Sequence, residues 1–241
     1  MKSLHLTAMR SIREIRLFLG ISLLLTLGHQ QIHAEESSFH ANFDDLSGWK
    51  NDSSPKSPPS YSLSKGILRM STRAETRDRV KIRTTRRFGI GRYTWRVFIP
   101  SMGKGDQSSV GAFLYRNDRH EVDFEIGYGK ESLREKLKAG PNDLVCYCTS
   151  QGNPFSSDQI LIKAEAWYKL AIDIAHRKDG KYLISWFVNG KQVKQLQTAF
   201  GDEITFTAHC SVENLKFIGD HIPHQENYGL FDSFHFSPPT K

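Results

Sequence analysis

Glu121, Asp123 and Glu125 stand at alternate positions of the run Glu121-Val122-Asp123-Phe124-Glu125, with an apolar residue between each pair. Strand side chains alternate between faces, so the three carboxyls form one row while Val122 and Phe124 point the other way. Helical spacing would scatter them around a cylinder. At ~3.3 Å per residue the outer two Cα atoms lie roughly 13 Å apart. Two Glu side chains leaning inward can close that gap to the ~5–5.5 Å that retaining glycoside hydrolysis needs. That chemistry takes one ionised carboxylate to attack the anomeric carbon and one protonated carboxyl to give its proton to the leaving oxygen. Crowding three acids makes it costly to ionise them all, so one proton is kept near neutral pH and the three titrate as a coupled set. Spacing does not say which Glu keeps it. The plain alternative is a solvated strand face. Against that, three like charges on one side are mutually destabilising, and the following Ile126-Gly127-Tyr128-Gly129 brings no Lys or Arg to neutralise them.

Strands are the elements that must position such a row, and the chain reads as strand after strand. Short or alternating runs are expected over 39–43, 61–72 (a hairpin about Ser64-Lys65-Gly66), 79–85, 93–99, 110–115 and 120–126. The last two are joined by the tight turn Arg116-Asn117-Asp118-Arg119, which pairs the acidic strand with its predecessor. Further strands are expected over 144–150, 167–176, 182–188, 192–196, 204–210, 215–218 and 230–236, with Asn189-Gly190 as the strongest hairpin dipeptide. The stretch 50–60, rich in Ser and Pro, reads as a loop. One helix is expected after the acidic strand, with Ser132-x-x-Glu135 as capping box and Gly140-Pro141 as stop. About a dozen strands without βαβ alternation predict an all-β protein, an antiparallel β-sandwich.

Residues 1–34 read as a secretory signal peptide: Arg10, Arg13 and Arg16, then an apolar stretch from Leu17 to Gly28, then Ile32-His33-Ala34 as cleavage site. The apolar stretch is too short to span a bilayer. The expectation is an exported protein, extracellular or periplasmic, with no membrane insertion after cleavage and one domain over 35–241. The leader carries four of the 33 Lys and Arg and one of the 26 acids, leaving 29 and 25, a net of +4. That ordinary value gives no reason to expect nucleic acid as a partner. Three cysteines, Cys146, Cys148 and Cys210, leave at least one thiol unpaired per monomer. Three buried thiols are the favoured reading; a bond from Cys210 to one of the others stays open. His221-x-x-His224 has the look of half a metal site, but no third ligand is suitably spaced.

Several segments, in order from about residue 39 to 237, resemble glycoside hydrolase family 16, the lichenase, laminarinase and agarase group. They are Asn42-Phe43-Asp44 with Trp49; Arg83-Thr84 before Phe88-Gly89-Ile90-Gly91-Arg92-Tyr93; Ala112-Phe113-Leu114-Tyr115 before the acidic run; Tyr168 to Asp173; Ile184 to Gly190; and Phe231-Asp232-Ser233-Phe234. The resemblance implies a concanavalin A-like jelly roll of two curved sheets, the acidic strand crossing the concave cleft. It implies a retaining endo-glycosidase acting as a monomer on a β-linked polysaccharide, or a transglycosylase of the same mechanism. Glu121 would be nucleophile, Asp123 the residue that orients and tunes it, Glu125 the acid/base. Lys81, Arg83, Phe113, Tyr115 and His209 would contact substrate. No cofactor is required, though a structural Ca²⁺ is implied at Asp232 and the carbonyls of Gly66 and His40; an Asp capping a surface strand is the equal alternative.

Departures bear on substrate more than on reaction. Lys81 stands where lichenase-like members offer a Glu, His209 lies near where an aromatic platform is expected, and the strand after the acidic one reads Val145-Cys146-Tyr147-Cys148-Thr149. Arg77, Arg79, Lys81 and Arg83 would form a basic ridge favouring sulfated or uronic-acid glycans. A non-catalytic, lectin-like glycan-binding sandwich shares the architecture. The absent platforms favour it; the costly triple-acid row favours the enzyme.

Overall fold

Residues 37–240 are described by the computed structural model, and the leader expected over residues 1–34 falls outside them. The described residues form fifteen strands and one helix. In chain order the strands are β1 (Phe39–Ala41), β2 (Trp49–Asn51), β3 (Tyr61–Ser64), β4 (Ile67–Thr72), β5 (Arg79–Thr84), β6 (Gly91–Ile99), β7 (Ser108–Asn117) and β8 (His120–Gly127). After helix α1 (Glu131–Leu137) come β9 (Asp143–Ser150), β10 (Ser156–Lys163), β11 (Ala166–His176), β12 (Lys181–Val188), β13 (Lys191–Gly201), β14 (Thr207–Asn214) and β15 (Asn227–Ser237).

They make two antiparallel sheets, a β-sandwich. One has the order β13-β12-β11-β6-β15-β4-β3, with β1 also paired to β15; the other has the order β10-β9-β8-β7-β14-β5-β2. Alternation sets which face is buried. Along β6, Tyr93, Trp95, Val97 and Ile99 are fully buried while Arg92 and Arg96 between them are exposed. Along β8, Val122, Phe124 and Ile126 enter the same core. Each large apolar side chain removed from water contributes roughly 1.5–3 kcal/mol, so the sheet that carries the acids is pinned from behind by its own even-numbered residues.

Three local expectations are corrected. The helix begins at Glu131 after Lys130, with no side-chain cap, so Ser132 lies inside the first turn and the capping box does not form. It ends at Lys138 in the left-handed region, φ 56°, whose N–H reaches back to the carbonyls of Arg134 and Glu135, ahead of Gly140-Pro141. Residues 215–218 form a turn, because β14 runs later than expected, through Asn214, and Leu215 donates its N–H to the Gln107 carbonyl. Strand β10 was not expected: its first half, Ser156-Ser157-Asp158-Gln159, is polar, and as an edge strand it takes its pairing from β9.

Candidate active site

Strand register assembles the site row by row. Asp123 lies opposite Phe113 on β7 and Thr149 on β9; Phe113 lies opposite His209 on β14, and His209 opposite Arg83 on β5. The next row runs Lys81, Ser211, Gly111, Glu125, Tyr147, Gln159. Paired residues share a face, so the acids look out over the side of the sheet turned away from the core. A cleft of about 400 Å³ there is lined by Glu121 and Glu125 together with Arg79, Lys81, Tyr115, His209 and Glu213.

The three acids differ in depth. Asp123 is 1% exposed and Glu125 5%, while Glu121 is only partly buried. Burial pushes the Glu121 carboxyl up to about 7, with the charge on Glu213 adding to it and Lys81 and Arg79 opposing. Burial raises Glu125 well above the ordinary glutamate range, and Glu213 and Asp123 add to this. Asp123 is likewise raised by burial and by Glu121, against the pull of the Gln151 amide, whose Nε2 donates to Asp123 Oδ2 at 3.1 Å. Ser109 Oγ donates to Glu125 Oε2. Gly111 makes room for the same carboxyl: a Cβ there would come within 2.3 Å of Ser211 Oγ and 2.8 Å of Glu125 Oε1. Both deeply buried acids, Asp123 and Glu125, thus hold their protons well above the ordinary carboxylate range, while the more accessible Glu121 stands at about 7.

A fourth carboxylate, Glu213, was not anticipated. It sits on β14, 1% exposed, on the cleft face. Arg79 Nε pairs with its Oε2, and Lys81 Nζ lies 3.5 Å from the same oxygen. The basic ridge expected on β5 is present from Arg79 onward, but its members are engaged: Arg83 Nε donates to Asp52 Oδ1 at 2.9 Å, and Arg77 Nη1 lies 3.5 Å from Gln107 Oε1. The acids that bind the ridge come from β14 and from the segment after β2, and only the sheet pairing brings them there. Alternation within Cys210-Ser211-Val212-Glu213 was the available signal: with Val212 in the core, Glu213 must face the cleft.

The other expected substrate contacts converge. Phe113, Tyr115, His209 and Lys81 all line the cleft. His209 stacks on Phe113 with ring centroids 4.4 Å apart, and Thr207 Oγ1 meets its Nε2 at 2.9 Å. Burial, with Lys81 and Arg83 nearby, holds the imidazole well below its usual range, hence neutral. Tyr115 donates its hydroxyl to Asp118 Oδ1 at 2.8 Å, which pushes the phenol up to about 12. Arg83 stands in the same cross-strand row, bound to Asp52. On β9, Cys146 and Cys148 turn into the core, leaving Tyr147 and Thr149 on the cleft side. An aromatic and a hydroxyl thus stand where the sequence looked poor in both. All three cysteines are free and buried.

The residues expected to hold calcium do not suit it. Asp232 Oδ2 is 3.1 Å from Arg96 Nη1, so the single side-chain carboxylate already faces a cation. Among the described residues no group of three or more His, Cys, Asp or Glu side chains could hold a metal ion. His221 and His224 stack on each other, and each has its own partners: Lys104 carbonyl for His221 and Glu75 for His224.

No protein-family model and no curated protein sequence matches the chain. Solved structures do. The Bacillus licheniformis β-glucanase superposes with a TM-score of 0.59 at 14% identity, covering 85% of this chain and 100% of that one. The Crh5 transglycosylase in complex with NAG gives 0.62 at 13%, covering 85% of each chain. The catalytic domain of an endo-1,3-β-glucanase (laminarinase) from Thermotoga petrophila RKU-1 gives 0.61 at 13%, covering 84% and 97%. At these identities the likeness is one of fold: the chain has the jelly roll of glycoside hydrolase family 16.

Proposed function

We propose that this chain is a glycoside hydrolase that cleaves internal β-linkages of a polysaccharide by double displacement, and that it is exported by its N-terminal leader. The observation that carries the reading is a row of three carboxyls on one face of the sheet, with Glu121 and Glu125 both lining the cleft and Asp123 buried between them. Glu121, the more accessible, is the nucleophile: its carboxylate attacks the anomeric carbon while Glu125 donates its proton to the departing glycosidic oxygen. A covalent glycosyl ester on Glu121 results. Glu125, now ionised, takes a proton from water as that water attacks the same carbon and releases Glu121. A positioned general acid–base is worth about 10²–10⁴ in rate. Asp123, fixed by Gln151, orients the row and shares in its coupled titration. Every proton and electron pair comes from the chain, the glycan or water.

A neutral glycan fits best. Arg79 and Lys81 share Glu213, and Arg83 is paired with Asp52, so each of these three cations already meets a carboxylate that a sulfate or uronate would have to displace. A sugar hydroxyl competing with water in the second step would make the same site a transglycosylase. A lectin would not need Glu125 deep in the sheet beside two other acids.

Azide separates the roles. With an activated aryl glycoside, Glu121→Ala is expected to give a glycosyl azide of inverted configuration, and Glu125→Ala one of retained configuration, since azide then attacks the covalent intermediate. The reverse pattern would exchange the two Glu, and an inverted product from the unaltered protein would reject double displacement.

A further inference from the structure

Behind the acid row lies a charge that the proposed reaction leaves unused. Lys194 on β13 belongs to the other sheet, and its side chain is 2% exposed. It is paired with Trp186 on β12, and the two side chains reach across the core to adjacent strands of the acid-bearing sheet. Trp186 Nε1 donates to the Asp123 carbonyl at 3.1 Å, and Lys194 Nζ donates to the Cys148 carbonyl at 2.9 Å. Cys148 lies opposite Phe124, the residue after Asp123. The ammonium also stands over the Trp186 ring, 5.2 Å from its centre, close enough for the ring face to attract it.

Stability alone does not call for a lysine in that place. Taking an ammonium out of water is unfavourable unless a partner compensates it, and buried lysines are rare without one. The carboxylate beside it, Asp158 Oδ2 on edge strand β10, is 4.0 Å away with its side chain 58% exposed, so water weakens the attraction. A methionine would fill a similar volume, and exchanges of that kind are often neutral or stabilising. What the charge does face is the underside of the acid row. Burial lowers the proton affinity of the amine, and Asp158, Cys148 and Asp123 oppose this. Asp123 in turn, raised by burial and by Glu121, is drawn back by Gln151, Thr149 and Lys194. Other charged and titratable neighbours of the row stand on the cleft side: Arg79 and Lys81 on β5, His209 and Glu213 on β14, Tyr115 on β7, Asp52 and Asp118 at the rim. On the core side, β9 brings the thiols of Cys146 and Cys148.

We infer that Lys194 is a positioning residue for the acid row: from the far sheet it favours charge on Asp123 over charge on Glu125, and with Trp186 it ties the β8 and β9 backbone that carries them. The inference rests on the glycosidase reading and adds a control that acts on the row from behind. What it controls is order. A charge on Asp123 raises the proton affinity of Glu125, so whichever of the two ionises first strengthens the other's hold on its proton. With the cation behind it, Asp123 goes first, and Glu125 keeps the proton that passes to the glycosidic oxygen.

The test follows the aspartate carboxyls by carbon-13 NMR in the full-length protein, with Asp123→Asn identifying the resonance of Asp123. In Lys194→Met that resonance should titrate at higher pH by on the order of half a unit, since an opposite charge at ~4–6 Å shifts a carboxyl by 1–3 units and this one acts through the sheet. Lys194→Gln, which keeps a donor but no charge, should behave as Lys194→Met does, and Lys194→Arg should restore most of the shift. Wherever the unaltered protein turns over glycan, the alkaline limb of kcat/KM in Lys194→Met should move toward acid while KM changes little, because Glu125 now competes with a weaker acid. A purely structural lysine would change Tm and leave titration and limb where they are. An unmoved Asp123 resonance in folded Lys194→Met and Lys194→Gln overturns the inference, and reducing-sugar release by the unaltered protein then still supports the glycosidase reading. A moved resonance in a protein that releases no sugar keeps the link between Lys194 and the row and fails the glycosidase reading.

Discussion

Glu213 carries no reacting atom, yet it stands next to the two glutamates that would, and its charge is what Arg79 and Lys81 neutralise. The charged and titratable groups around the pair come from every neighbouring strand: Arg79 and Lys81 on β5, His209 and Glu213 on β14, Tyr115 on β7, Asp123 on β8, with Asp52 and Asp118 at the rim. Glu213 raises the proton affinity of both Glu121 and Glu125. In Glu213→Gln that contribution goes, and two cations are released to act in the opposite direction. Glu125 then loses its proton at lower pH. The alkaline limb of the kcat/KM profile, which reports the acid, is expected to move toward acid by about one pH unit, each unit being 1.36 kcal/mol of interaction. Turnover at neutral pH falls accordingly, while turnover at the acidic end is largely kept. A uniform loss across the profile, with both limbs unmoved, would make Glu213 a structural residue only.

At the level of elements, what could be read ahead was what the chain encodes locally. The acidic row, the β7–β8 hairpin and the Asn189-Gly190 hairpin follow from alternation and turn chemistry over a few residues, and all three form. The misses are of two kinds, a polar segment that pairs as a strand with its neighbour and contacts that depend on a distant partner. β10 is a strand because β9 is beside it; Glu213 meets Arg79 because β14 pairs with β5; Phe217 reaches Tyr147 from a turn seventy positions along the chain. The helix was missed in its caps alone. Its expected local cap, Ser132, plays no part, and Arg134 ties it down instead, donating to the carbonyls of Tyr128 at 2.8 Å and Gly140 at 2.7 Å and to that of Asp143. Arg134→Ala should cost about 1–3 kcal/mol, since some of those carbonyls lose their partner while the outer ones regain water. That is a fall of several degrees in Tm, measured by calorimetry, with Arg134→Lys recovering part of it. A Tm within a degree of the unaltered protein would mean that α1 is held by its apolar contacts alone.

For the whole molecule, the acid row links folding to pH with a sign opposite to the usual one. Two paired carboxyls behave ordinarily: Arg73 holds Asp78 low and Lys163 holds Asp143 low, so they stabilise above the unfolded value near 4 and lose this only in acid. Asp123 and Glu125 are raised by burial. Such a group is protonated when folded and ionised when unfolded between its two pKa values, so stability falls as pH rises through that window. His209, held low, works the other way, but only below the unfolded histidine value near 6.5. Cys146 and Cys210, raised by their surroundings, join the acids only above about 8.5. Between about pH 6.5 and 8 the acids set the slope together with the exposed His221, which the Ile222 and Lys104 carbonyls hold above its usual range and which therefore adds to the same decline. Each carboxyl that stays protonated in the fold contributes a slope of up to roughly 1.4 kcal/mol per pH unit, which at about 3 °C per kcal/mol makes a decline of several degrees per unit in Tm. Glu125→Gln cannot ionise and should remove about half of that slope while raising Tm at the alkaline end. Scanning calorimetry across this window decides it. A Tm that is flat or rising from pH 6.5 to 8 in the unaltered protein would mean that water reaches the row, and that the cleft does not hold its proton by burial.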